Sequence, residues 1–450
     1  MLDAFSMTKF RTILITVLWA ALSLSLTGCS SSVEEKYPPM GWNSWICFGT
    51  SVTEAEVKAN ADFMAENLKQ YGWEYVVVDA GWYAPGMVTL DDYLNPHPDQ
   101  LIDEWGRLIV DAEKYPSAGA EGSFKAIADY VHSLGLKFGI HIMRGIPVQA
   151  YEADTPIKGT THTAREIALT DSSCDWYYGF MHIDMSKTGA KEYYESLFEL
   201  YASWGVDFVK ADDLLSPEYA AADIEAIHTA ALNCGRKIVL SLSPGPAPVE
   251  MSSHIAANST MWRISEDFWD NWDSLKKQFN LASRWNGLSR QGHWADLDML
   301  PVGPMARRAM RGEPRMSNFT EDEQRTMLSL WAIFASPLMV GCNLPEIDPF
   351  TLSLLTNRDV LELDRTVRVS TELIHSDTLV LWQSDSSSDR TRWYAVFNLA
   401  DEILCDYELN IPENAREACE LWTGDNYRPE DGKINLTLRP HGVALVKCEF

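Results

Sequence analysis

Basic residues are scarce in this chain: 37 Lys and Arg stand against 64 Asp and Glu, a formal net charge of −27 over 450 residues. That balance excludes nucleic acid and an anionic bilayer as natural partners, since both would repel it, and suits a neutral substrate better. The sequence has no CxxC pair and no His/Cys spacing of the kind that holds zinc, so neither a metal nor another cofactor is expected. No glycine-rich phosphate turn follows the first strand candidate; Trp42-Asn43-Ser44-Trp45 stands there instead, which argues against a dinucleotide-binding open sheet. Internal repeats and low-complexity tracts are also missing.

Long apolar runs are nearly absent as well. The clearest, Thr12 to Leu26, follows Lys9 and Arg11 and is too short for a membrane span, so residues 1–28 read as a targeting segment. It ends in Leu26-Thr27-Gly28-Cys29, which resembles the lipobox of bacterial lipoproteins. That resemblance makes Cys29 the lipidated first residue of the mature chain, with 29–36 a polar tether and the membrane touched only through this anchor. The expected location is the bacterial periplasm or cell surface; a plain secretory signal with a chance cysteine is the alternative. Cys47, Cys174, Cys234, Cys342, Cys405, Cys419 and Cys448 remain, and in an exported protein some are expected to form disulfides, in a connectivity the sequence does not give.

What is present is an alternation of short apolar runs with amphipathic helices. Strand candidates fall at Met40–Trp45, Trp73–Asp79, Leu136–Met143, Val206–Val209, Lys237–Ser243, Met261–Ile264, Trp294–Leu297 and Leu338–Cys342. Between them lie helices, two opened by capping boxes, Thr53 with Glu56 and Thr320 with Glu323. Eight such units predict a (β/α)8 TIM barrel over 37–362. Beyond it only alternating runs remain, such as Thr378–Trp382, Trp393–Asn398, Ile434–Leu438 and Val443–Cys448, which predict a small antiparallel β-sandwich over 363–450. Seventeen Trp and seventeen Tyr suit sugar stacking, and they suit a large core equally.

Several strands finish in charge. Val206-Asp207-Phe208-Val209 runs into Lys210, Asp212 and Asp213, and an unpaired ion inside a buried strand would cost several kcal/mol, so the charged end is expected in a cleft. A surface ion pair is the other reading. Asp79, His141, Arg263, Asp267, Asp296 and Asp298 occupy comparable positions on other strands, as does Trp45. Two carboxylates on different strand ends are the minimum equipment for cleaving a glycosidic bond. Lys210 should keep Asp212 ionised, as a nucleophile requires, while Ile264, Phe268, Trp269 and Trp272 should raise the pKa of Asp267, as an acid requires. Glu266, Asp213 and Asp270 are neighbours that spacing does not exclude.

Pro39-Met40-Gly41-Trp42-Asn43-Ser44-Trp45, Lys210-Ala211-Asp212, Arg263-x-x-x-Asp267 and Trp294-Ala295-Asp296-Leu297-Asp298-Met299-Leu300 together resemble glycoside hydrolase family 27, the retaining α-galactosidases and α-N-acetylgalactosaminidases. The resemblance spans about Tyr37 to Phe450. It implies an exo-acting enzyme that releases terminal α-linked galactose by double displacement, with Asp212 as nucleophile and Asp267 as acid/base. It also implies sugar contacts from Trp45, Asp79, Lys210 and Arg263, and a supporting role for Asp296 and Asp298. Three positions depart from the family: Ala80 follows Asp79 where a second Asp is usual, His141 replaces a Tyr, and Ser241-Leu242-Ser243-Pro244 replaces the strand-five specificity motif. His141 either makes up a lost sugar contact or is a packed core residue. The rival readings are therefore an α-N-acetylgalactosaminidase, a β-L-arabinopyranosidase, an isomaltose-releasing α-glucanase, or a carbohydrate-binding lipoprotein without turnover.

Overall fold

The computed structural model describes residues 36–95, 98–366, 369–386 and 390–450. The expected targeting segment, 1–28, and all of the expected tether but residue 36 lie outside these residues. Eight parallel strands form the frame: β1 (Met40–Asn43), β2 (Tyr75–Val78), β3 (Lys137–Met143), β4 (Phe208–Asp212), β5 (Val239–Leu242), β6 (Met261–Arg263), β7 (Trp294–Asp296) and β8 (Leu338–Val340). They pair in the order β7–β6–β5–β4–β3–β2–β1–β8. Leu300, just past β7, bridges Val340 of β8 and closes the ring.

Alternation along the strands divides the barrel into two cores. One set of side chains packs outward against the surrounding helices and joins the main apolar core, as Val76, Ile140, Val209, Leu240 and Trp262 do. The other set points inward, where Tyr75, Val77, Phe208, Val239, Met261 and Met339 fill the lower layers. Register then stacks the polar residues above them: His141 lies beside Lys210 and Met143 beside Asp212 across β3 and β4, and Lys210 lies beside Ser241 across β4 and β5.

β4 does not stop where its apolar pattern stops. It continues as regular strand through Lys210 and Asp212, because inside a barrel an inward charge can meet a counter-charge from a neighbouring strand. The expected emergence of the chain at Lys210 is corrected accordingly: the cation belongs to the barrel interior.

After β3 the chain makes an excursion built from three short strands, Ile146–Pro147, Ala168–Ser173 and Phe180–Ile183, paired antiparallel with the last in the middle. Gly145 permits this return, since its φ is +95° and a Cβ there would collide with the Met181 carbonyl.

The C-terminal part has two sheets. One runs β9 (Val369–His375), β10 (Leu379–Asp385), β11 (Thr391–Asn398), β16 (Val443–Glu449), β13 (Glu417–Glu420), β14 (Asn426–Tyr427) in spatial order; the other pairs β12 (Leu404–Asn410) with β15 (Lys433–Leu438). Leu381, Val396, Leu409, Leu436 and Val446 pack between them. The opposite face of the larger sheet carries Trp382, Trp393, Phe397 and Leu445, which join the main core beside the barrel helix Glu321–Phe334. Polar ties reinforce this contact: Thr326 Oγ1 donates to the His441 carbonyl at 2.7 Å, and the His441 ring stacks on Trp272 with centroids 3.9 Å apart.

All seven described cysteines are free thiols, which corrects the expectation of disulfides. The physical reason is placement. Cys47, Cys174, Cys342 and Cys448 are buried in the apolar cores, where they pack as small hydrophobes.

Candidate active site

The C-terminal ends of the barrel strands carry a connected set of buried ions. Asp79, immediately after β2, is 1% exposed. Its Oδ2 accepts from Lys210 Nζ at 2.8 Å and from Asn43 Nδ2 at 2.8 Å, and its Oδ1 accepts from the Ala80 amide at 2.9 Å. Burial alone would raise this carboxyl; the Lys210 ammonium instead holds it far below the usual carboxylate range. The same pairing outweighs the burial of Lys210 and keeps that ammonium firmly charged. Asn43 and Ser44 act as braces here, Asn43 through its two amide bonds to Asp79 and the Trp45 amide, Ser44 by accepting the Asp79 amide at 2.9 Å.

Asp212, the last residue of β4, has a different partner from the one expected. Its Oδ2 lies 3.0 Å from His141 Nε2, and its Oδ1 accepts from the Asp213 amide at 3.1 Å. An ionised carboxylate can only accept, so Nε2 carries the proton. Burial pushes the Asp212 carboxyl up; the His141 hydrogen bond and charge, with Lys210 acting at longer range, bring it below its ordinary value. The ionising partner is thus chiefly His141, while Lys210 is bonded to Asp79. His141 is neither an inert core histidine nor spare: it is 1% exposed and bound to the Asp212 carboxylate, while its Nδ1 has no partner among the described residues.

Asp267 follows β6 by four residues. Its side chain is 45% exposed and lies 3.3 Å from Arg263 Nη2. The apolar enclosure expected around it is not what the structure has: Phe268 turns away to pack on Phe319 and Trp331. Arg263 is 2% exposed and also binds Asp298 Oδ2 at 2.9 Å, and its charge acts on Asp212 as well, so one guanidinium links the two carboxylates of interest. Behind it, burial raises Asp296 to about 6 and Asp298 to about 7. Asp298 accepts the Phe268 amide at 2.7 Å and so fixes the backbone just after Asp267. Below this layer Asn43, Lys210, Ser241, Arg263, Asp296 and Asp298 line a cavity of about 20 Å³, room for about one water.

Trp45 opens a short helix, Trp45–Phe48, and its half-buried ring lies 5.8 Å from that of Tyr93. The fold therefore gathers all the singled-out residues at one end of one barrel. It adds others the sequence did not flag. Arg144 and His182 both bind Asp213, at 3.3 and 2.8 Å, and Asp213 takes the left-handed conformation, φ +63°, directly after Asp212. The pairing of Arg144 with His182 depends on the excursion after β3, for which the sequence offers no local signal.

An ionised buried carboxylate, a second carboxylate reachable from solvent, and a lining of paired hydrogen-bonding ions suit attack at an anomeric carbon with proton donation to the departing oxygen. Among the described residues no group of three or more His, Cys, Asp or Glu is arranged to hold a metal. Comparison with known proteins points the same way. The alpha galactosidase A family model matches residues 37–154 and 181–366. Alpha-galactosidase 2 of Arabidopsis thaliana is 26% identical over 91% of this chain and 88% of its own length. Alpha-galactosidase A of Cellvibrio japonicus is 26% identical over 95% and 96%. A family 27 β-L-arabinopyranosidase from Geobacillus stearothermophilus is 44% identical, covers 92% of this chain and 97% of its own, and superposes with a TM-score of 0.89. The chain belongs to the alpha galactosidase A family, and it is a glycosidase.

Proposed function

We propose that this protein is a retaining exo-glycosidase that removes a terminal pyranoside of galactose configuration through a covalent intermediate on Asp212, with Asp267 as acid/base. The observation that carries the reading is the contrast between the two carboxylates: Asp212 is 8% exposed and hydrogen-bonded by His141, which helps hold it ionised, whereas the Asp267 side chain is 45% exposed and reachable from solvent. Asp79, Lys210, Arg263 and Trp45 then surround the sugar, and His141 serves the nucleophile.

Two sugars share the ring stereochemistry this site would read, α-D-galactose and the pentose β-L-arabinopyranose, which lacks the exocyclic carbon. Ala80, 2% exposed, stands where a second carboxylate would meet a distal hydroxyl, and the relative at 44% identity acts on the pentose. Losing one hydrogen bond to a buried hydroxyl costs about 1–3 kcal/mol. The pentose, having one hydroxyl fewer to satisfy, is therefore the better substrate in this reading. Hydrolysis of aryl α-D-galactopyranoside and aryl β-L-arabinopyranoside, with the anomer of the first-formed product read by NMR, tests both levels. Inversion, or silence on both sugars, would sink the assignment.

The envelope location belongs to the same proposal. Leu26-Thr27-Gly28-Cys29 supports lipid attachment at Cys29. Incorporation of labelled palmitate that survives Cys29→Ser would rule the anchor out.

A further inference from the structure

The two matched blocks of the family model leave 155–180 between them, yet this segment reaches the nucleophile candidate through a line of bonded side chains. Ser172 Oγ lies 2.7 Å from His182 Nδ1, and His182 Nε2 lies 2.8 Å from Asp213 Oδ2. Arg144 meets the same carboxylate oxygen through its Nε at 3.3 Å, and its Nη2 lies 2.9 and 2.6 Å from the two ring nitrogens of His182. Arg144, His182 and Asp213 are all buried, so water does little to loosen these contacts.

Asp213 is where the line touches Asp212. Its φ is +63°, a conformation that a residue with a side chain keeps only where its surroundings impose it. Held there, its amide donates to Asp212 Oδ1 at 3.1 Å. The backbone to either side is tied as well: the Arg144 amide donates to the Asp212 carbonyl, and the Leu214 amide to the Ser243 carbonyl, each at 3.0 Å. Arg144 thus grips both the peptide of Asp212 and the side chain of Asp213. One oxygen of Asp212 faces His141, and the other faces an amide whose direction this network sets.

We propose that Asp213, Arg144, His182 and Ser172 are positioning residues that aim the Asp212 carboxylate at the anomeric carbon, with the segment 155–180 supplying the outer end of the brace. The proposal rests on the function argued above and adds to it what holds the nucleophile still. An attacking group must be kept within about 0.5 Å of its productive position, and misplacement by about 1 Å costs about 100-fold in rate.

Gly and Asn both accept the left-handed conformation. Asp213→Gly therefore removes the ties without adding strain, and Asp213→Asn keeps an oxygen for His182. The test uses whichever of the two pyranosides wild type hydrolyses, carried on a poor leaving group. Asp213→Gly is expected to lower kcat about 10- to 100-fold with KM within about twofold of wild type, and Asp213→Asn to recover part of the loss. A role in folding alone would lower the melting temperature and leave kcat per folded molecule unchanged; that result overturns the proposal, as does a loss carried by KM alone. Should Asp213→Gly not fold, Ser172→Ala decides, because it leaves the Arg144–Asp213 pair in place: kcat is expected to fall about 2- to 10-fold, and a wild-type kcat overturns the brace. Wild-type silence on both sugars would overturn the functional reading and this proposal with it. An active wild type whose variants keep its kcat overturns the brace alone.

Discussion

Asp212 and Asp267 differ in surroundings, and the difference predicts how their replacements should behave. Asp212→Asn keeps the shape and the His141 contact but removes the attacking charge; turnover of an activated aryl glycoside is expected to drop by more than about 10³-fold with the fold intact by circular dichroism. Asp267→Ala should act selectively. Substrates with poor leaving groups need a proton and should lose about 10²–10⁴-fold, while good leaving groups lose far less in the glycosylation step; equal losses on both classes would remove Asp267 from the acid role. His141 is bonded to the carboxylate at 3.0 Å, and hydrogen bonds to charged groups contribute about 1.5–3 kcal/mol. His141→Phe is therefore expected to lower kcat about 10- to 100-fold with KM little changed, and His141→Gln to recover part of it. A change confined to KM would place His141 on the sugar instead.

At the scale of elements, what could be read in advance followed from how strongly each segment is patterned. The eight barrel strands are apolar runs between periodic helices, and all eight appear within a few residues of where those runs lie. Both capping boxes form, and Thr320 Oγ1 accepts the Glu323 amide at 3.2 Å; Thr320→Ala should cost about 0.5–2 kcal/mol in chemical denaturation. Strands β9, β12 and β13 gave no comparable signal. β12 buries one residue of seven and covers only one strand, so its sequence LCDYELN has little reason to alternate cleanly. The excursion strand Ala168–Ser173 has no buried residue at all. The site divides along the same line. Asp212, Asp267, Lys210 and Arg263 belong to strand-end motifs that resemble those of a known family, so they could be named. Their actual pairing, Lys210 with Asp79 and Asp212 with His141, is a property of register between strands, which no single strand encodes. Arg144 and His182 meet Asp213 only through the excursion after β3, where neither period nor spacing marks them.

Across the whole molecule, barrel and sandwich share one continuous apolar core, and the helix Arg358–Thr366 joins them. In its last turns sits Asp364, 1% exposed, with neither carboxyl oxygen hydrogen-bonded among the described residues. Burial pushes its pKa well above the ordinary value, and the neighbouring Arg365 charge opposes that only in part. The sign of the linkage follows. A carboxyl whose folded pKa exceeds its unfolded value, about 3.9, binds its proton more tightly when folded. Its contribution to stability is complete below pH about 4 and is lost as pH rises toward the folded pKa. At neutral pH the fold must either hold a buried charge or keep a proton against the solvent, at a cost on the order of 1–3 kcal/mol. Asp364→Asn removes the titration and nearly preserves the shape. Its melting temperature relative to wild type should therefore rise steadily between pH 5 and pH 8, by a few degrees at the upper end, with glycosidase activity unaffected because the residue lies on the opposite side of the chemistry, in the link to the sandwich. Parallel melting curves for the two proteins across that range would show that Asp364 is solvated or paired in solution.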